Sequence, residues 1–172
     1  MTGLISYFDL IAVGVFAISG ALAAAEEKLD VLGFILFGIL TGVGGGTVRD
    51  LLLQSGPVFW IASVEYLWVC IGAAIATWFL APFLQSAQRL LLWADAAGLA
   101  LFSVLGAAKA LDAGMADVVA VVMGVVSASF GSLLRDTLMN RIPILLGPEI
   151  YVTACLVGAA SYLAMIVAGV PD

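Results

Sequence analysis

Apolar residues run in six long blocks bounded by charges or prolines: 4–25, 31–53, 65–84, 90–111, 118–139 and 149–170. Crossing a hydrocarbon core of about 30 Å takes about 20 apolar residues as a helix, so each block is long enough to span. The pattern predicts an all-α membrane protein with six transmembrane helices. The connections, clearest at 26–30 and 85–89, are too short to hold a second, extramembrane domain. Pro57-Val58-Phe59-Trp60 and Pro143-Ile144-Leu145-Leu146 precede the third and sixth blocks and suit short pieces lying at headgroup depth, with Trp60 as an anchor. The first block lacks a basic leader and ends in Glu26-Glu27-Lys28 without a cleavage site, which reads as a retained helix.

The blocks repeat. A shift of 86 residues (95 − 9) places Asp9 on Asp95, Phe16 on Phe102, Gly20-Ala21 on Gly106-Ala107, Gly45 on Gly131, Arg49-Asp50 on Arg135-Asp136 and Pro57 on Pro143, without a gap. Matches of alanine and glycine are cheap in this chain, but aspartate, arginine, phenylalanine and proline are scarce. The sequence therefore divides into a first repeat, 1–86, and a second, 87–172, each with three crossings. An odd number of crossings inverts the second copy relative to the first. An N-terminus outside puts Lys28, Arg89 and Arg141 on the cytoplasmic side, the orientation that basic loops favour.

Composition adds exclusions. Of 172 residues, 64% are hydrophobic and 10% charged, there is no histidine, and Cys70 and Cys155 lie within apolar runs, which removes zinc sites, histidine triads and thiol clusters and argues against an enzyme. A mean hydropathy of +1.21 belongs to a bilayer protein. The net charge of −6 argues against nucleic acid as a partner and favours cations at the mouths of any pathway.

Chemistry then concentrates in two places. The second block carries Thr41-Gly42-Val43-Gly44-Gly45-Gly46-Thr47-Val48-Arg49-Asp50, and the fifth carries Ser127-Ala128-Ser129-Phe130-Gly131-Ser132 before Arg135-Asp136. Glycines weaken a helix, so breaks are expected in both blocks, freeing carbonyls that hydrocarbon tolerates only beside a wet cavity. The competing reading is close helix packing through small residues. Charges inside spans are costly, which marks Arg49, Asp50, Arg135 and Asp136 as either structural ion pairs or gating groups. Asp9 and Asp95 open the first and fourth blocks, as acidic mouths or as ordinary interfacial residues. Lys109 faces Ala23 on the 86-residue shift and breaks the symmetry, either snorkelling to the surface or acting as a voltage-responsive plug.

The stretch Gly44-Gly45-Gly46-Thr47-Val48-Arg49-Asp50-Leu51-Leu52, with Pro57 and Glu65-Tyr66-Leu67, resembles the prokaryotic trimeric intracellular cation (TRIC) channel family, also described as the glycine transporter domain family. The second copy, Gly131-Ser132-Leu133-Leu134-Arg135-Asp136 with Pro143 and Glu149-Ile150-Tyr151, carries the same arrangement. The resemblance implies a homotrimer in an inner membrane, one potassium-permeable pore per protomer along the second and fifth helices, lipid at subunit contacts and no resident cofactor. It puts the breaks at Gly44, Gly45, Gly46 and Gly131 and matches Lys109 to a basic residue on the family's fourth helix. The family has a seventh helix beyond the point where this sequence ends, which leaves a shortened chain or a dispensable helix as readings. The alternative function is a carrier for glycine or another small amino acid, for which inverted repeats serve equally.

Overall fold

The computed structural model describes residues 2–54, 56–83, 86–143 and 151–167, and these are helical apart from short connections. The elements are α1 (Thr2–Glu26), α2 (Val31–Leu53), the single-turn α3 (Phe59–Ala62), α4 (Glu65–Leu80) with a 3-10 turn (Ala81–Phe83), α5 (Ala87–Asp112), α6 (Asp117–Leu138) and α7 (Tyr151–Val167). Among the described residues five spans are long and apolar enough to cross a membrane: Tyr7–Glu26, Val31–Leu53, Glu65–Phe83, Ala87–Asp112 and Asp117–Leu138. The described part of the sixth block is the shorter α7; Glu149 and residues 168–170 lie outside the described residues, as does most of the segment begun by Pro143. The segment begun by Pro57 holds the single turn α3, Phe59–Ala62.

Local chemistry sets the ends. Asp30 caps α2 by accepting a hydrogen bond from Gly33 N at 2.9 Å, and Gln54 ends it in the left-handed region at φ 49°. The 85–89 connection is shorter than expected because Ser86 caps α5 through Arg89 N at 3.3 Å, drawing residues 87–89 into the helix.

Helices α1, α2 and α4 pack on one another, as do α5, α6 and α7, and the two triplets meet through α1 against α5 and α2 against α6. At the first contact Phe16 stacks on its register mate Phe102, ring centres 5.3 Å apart. Bulky apolar side chains such as Trp68, Trp93 and Val118 are exposed on the outside, where lipid is their solvent.

One expectation is overturned. Helices α2 and α6 run as continuous α-helix through Gly44, Gly45 and Gly46 and through Ser127–Ser132. The small residues serve the crossing of these helices instead. A Cβ on Gly45 would stand 2.0 Å from the Ser127 carbonyl oxygen, and one on Gly131 would stand 2.3 Å from the Thr41 carbonyl oxygen. Glycine lowers helix propensity by about 1 kcal/mol against alanine, yet backbone contact this close admits nothing larger. Tertiary packing therefore overrides propensity, and it does so at matching positions of both copies.

Candidate ion pathway

Two polar clusters lie inside the helices, one toward each membrane face. Alternating helices joined by short turns bring the start of α1, the end of α2, the start of α4 and the end of α5 to one face, called here the N-terminal face. The start of α5 and the ends of α1 and α6 meet at the other.

At that opposite face Arg135 is fully buried and each of its three nitrogens has a partner. Nη1 and Nη2 donate to the two oxygens of Asp95, each at 2.9 Å, and Nε donates to Asp136 Oδ1 at 2.8 Å. Ser19 on α1 joins them, accepting from Arg135 and donating to Asp95. A bidentate guanidinium–carboxylate pair in a dry site is short, directional and strong, provided every member is satisfied. Here it is.

At the N-terminal face the same motif is arranged differently. Arg49 is equally buried, and its Nε donates to Asp50 Oδ1 at 2.8 Å. Its Nη2 lies 2.7 Å from the same oxygen but off the hydrogen-bond line, and neither Nη1 nor Nη2 has a hydrogen-bond partner among the described residues. Asp9, the register mate of Asp95, is taken by Lys109, whose Nζ donates to Oδ2 at 2.5 Å, and by the Tyr66 hydroxyl at 3.2 Å. Its Oδ1 has no hydrogen-bond partner among the described residues. Three differences across the repeat accompany the contrast: Lys109 stands where the other copy has Ala23, Leu105 where it has Ser19, and Tyr66 where it has Val152.

A cap closes over this cluster. Phe59 N donates to Asp50 Oδ2 at 2.9 Å, and the Trp60 indole donates to Thr47 Oγ1 at 2.9 Å, which together seat α3 on the end of α2. The Phe59 ring packs against Gly46, where a Cβ would come within 2.5 Å of it, and meets Tyr66 edge-on at 4.7 Å. The Arg49 guanidinium carbon and the Lys109 ammonium lie 5.7 and 5.3 Å from its centre, within cation–π range.

Of the hydroxyls expected to face a solute, three bond their own helices: Thr47 to the Val43 carbonyl, Ser129 to Val125 and Ser132 to Ser129, at 2.7, 2.6 and 3.0 Å. Thr41 and Ser127, register mates near mid-helix, are buried and their hydroxyls have no hydrogen-bond partner among the described residues. Asp9 and Asp95 are neither helix caps nor open mouths, because both lie within their helices, are about 1% exposed and are paired with cations. Nor does Lys109 snorkel away: it turns inward onto Asp9.

Sequence reasoning missed Ser19, Tyr66 and Phe59 as members of these clusters. A lone hydroxyl inside an apolar run was the available signal for Ser19. It also missed an ionic tie at the opposite face, where Arg141 Nη1 donates to Glu26 at 2.6 Å and its Nε donates to Glu27 at 2.9 Å. Burial works against charge on Arg141, but the hydrogen bonds to Glu27 and Glu26 outweigh it and raise the pKa above the ordinary guanidinium value. Between α1, α4 and α5 an outward groove lined by Val15, Ile18, Leu22, Leu80 and Trp93 is almost wholly apolar, and the hydroxyl of Thr77 in its lining donates to the Ala73 carbonyl of its own helix.

A bundle of apolar spans with a duplicated, buried Arg-Asp interior defines a polytopic membrane protein of the channel and transporter class. The chain belongs to the family described as Glycine transporter, whose profile matches residues 6–82 and 92–166, two stretches that start 86 residues apart (92 − 6). It is 40% identical over 159 residues to the UPF0126 inner membrane protein YadS of Escherichia coli (strain K12), covering 90% of this chain and 75% of that one. It is 34% identical to the UPF0126 membrane protein YvgT of Bacillus subtilis (strain 168), covering 90% of this chain and 76% of that one. Among solved structures, the TRIC trimeric intracellular cation channel orthologue from Rhodobacter sphaeroides superposes with a TM-score of 0.95 at 46% identity, covering 98% of this chain and 87% of that one. A prokaryotic TRIC channel crystallised in 0.5 M KCl gives a TM-score of 0.90 at 30% identity, covering 96% of this chain and 86% of that one.

Proposed function

We propose that the chain forms a homotrimeric, potassium-permeable channel of the inner membrane, with its N-terminus outside and a path through each protomer. The likeness in fold and sequence to TRIC cation channels supports cation conduction and trimeric assembly. The observation that carries the protomer path is a set of buried polar atoms without partners: Asp9 Oδ1, Arg49 Nη1 and Nη2, Thr41 Oγ1 and Ser127 Oγ. Buried polar groups almost always find hydrogen-bond partners, and in a membrane interior that role falls to water or to a solute. In this reading they trace a wet route from the N-terminal face to mid-membrane, and the saturated Arg135 cluster closes its far end. The route runs beside intact helices rather than through breaks.

A carrier for a small zwitterion is the second reading. It is favoured by the family's description and by the coexistence of Arg49 Nη1, suited to a carboxylate, with Asp9 Oδ1, suited to an ammonium, neither of which has a hydrogen-bond partner among the described residues. Reconstituted vesicles separate the two. A potassium gradient drives rapid, voltage-dependent current through a channel, whereas saturable glycine counterflow without such current identifies a carrier.

A further inference from the structure

The Lys109 ammonium occupies a place chemically suited to a free cation. Its Nζ is 2.5 Å from Asp9 Oδ2 and 5.3 Å from the Phe59 ring centre, and the Tyr66 hydroxyl reaches the same carboxylate oxygen at 3.2 Å. A carboxylate, a phenol oxygen and an aromatic face together suit a weakly hydrated monovalent ion. They fall short of the six or more oxygens that calcium requires. Asp9 also has capacity left, because Oδ1 is buried and unpartnered.

Charge balance points the same way. Around this site the carboxylates of Asp9 and Asp50 are matched by Arg49 and Lys109. Exchanging the lysine ammonium for one free monovalent cation keeps that balance, whereas withdrawing it alone leaves a buried carboxylate uncompensated, which is strongly unfavourable. The lysine also has somewhere to go, since 27% of its side chain is exposed against 2% for Asp9. The opposite cluster supplies the contrast: no lysine is present at the matching position, and both oxygens of Asp95 are engaged by Arg135.

We propose that Asp9, Tyr66 and Phe59 form a monovalent-cation site for which the Lys109 ammonium is a tethered competitor, so that an entering ion replaces the lysine instead of joining it. This deepens the cation-channel reading and rests on it, but it is tested without measuring flux. In the intact protein in detergent, the acetylation rate of Lys109 relative to Lys28 is followed by mass spectrometry in potassium chloride and in N-methyl-D-glucamine chloride of equal ionic strength. Lys28, exposed in the α1–α2 connection, is the internal reference. The expected result is a severalfold rise of the ratio in potassium; an unchanged ratio overturns the proposal.

Lys109→Met gives an independent reading. With the competitor gone, potassium at about ten times its dissociation constant should raise the melting temperature by about 3 to 6 °C over N-methyl-D-glucamine, and Asp9→Asn in the same background should abolish the rise. A Lys109→Met protein indifferent to potassium also overturns the site, and if that variant does not fold, the labelling ratio decides. A lysine that yields to potassium in a protein that passes no current keeps the site and removes the channel reading. Potassium current with an indifferent Lys109 does the reverse.

Discussion

Arg49 and Arg135 stand at the same register of one duplicated motif, each followed by an aspartate that takes its Nε at 2.8 Å. Beyond that bond they diverge. Arg135 is held by Asp95 and Ser19 as well, while Nη1 and Nη2 of Arg49 have no hydrogen-bond partner among the described residues and Lys109 takes Asp9. The difference teaches that a buried Arg-Asp pair is not by itself a clamp or a gate. Its neighbours on α1, α4 and α5 differ between the copies, and with them a closed constellation gives way to one with capacity for water or an ion.

The strongest way to break this comparison is to remove each arginine in turn. Arg135→Ala strands the buried Asp95 carboxylate and should cost about 3–5 kcal/mol, enough to prevent recovery of folded protein or to lower its melting temperature steeply. Arg49→Ala should cost clearly less, since Lys109 still neutralises Asp9. Equal losses in thermal unfolding of the two variants would refute the asymmetry.

Gly45→Ala should destabilise by about 1–3 kcal/mol, because the new methyl meets the Ser127 carbonyl and cannot be accommodated by rotamer change. A melting temperature within error of the parent would mean that the crossing is looser than described. Ser19→Ala should cost about 1 kcal/mol and leave the Arg135–Asp95 pair intact, and a loss as large as that of Arg135→Ala would show that the hydroxyl organises the cluster. Least of all, Arg141→Gln should change stability by at most about 1 kcal/mol and do so less in high salt, since Glu27 is partly exposed.

Much of this architecture was legible from residues. The 86-residue repeat follows from rare types at matched positions, and Asp30 and Ser86 are cap residues where α2 and α5 begin. The glycine cluster misled because one composition serves two ends, interrupting a helix or admitting a neighbouring backbone. Only the position of the Ser127 and Thr41 carbonyls decides between them. Lys109 likewise carries no sequence mark of its partner, for Asp9 lies 100 residues away and the pairing exists only once α1 packs on α5. Phe59 and Trp60 could be placed at a membrane interface, but not as a cap over Arg49 and Lys109, until α3 was seen seated on α2.

On the proposed reading, the interior of each protomer beside Thr41 and Ser127 is wet and carries cations. The most direct test is potassium current across a planar bilayer for Ser127→Cys, with Cys70 and Cys155 replaced by alanine, before and after a small cationic thiol reagent. Irreversible block on modification is the predicted result. Robust current that the reagent leaves unchanged would contradict the claim.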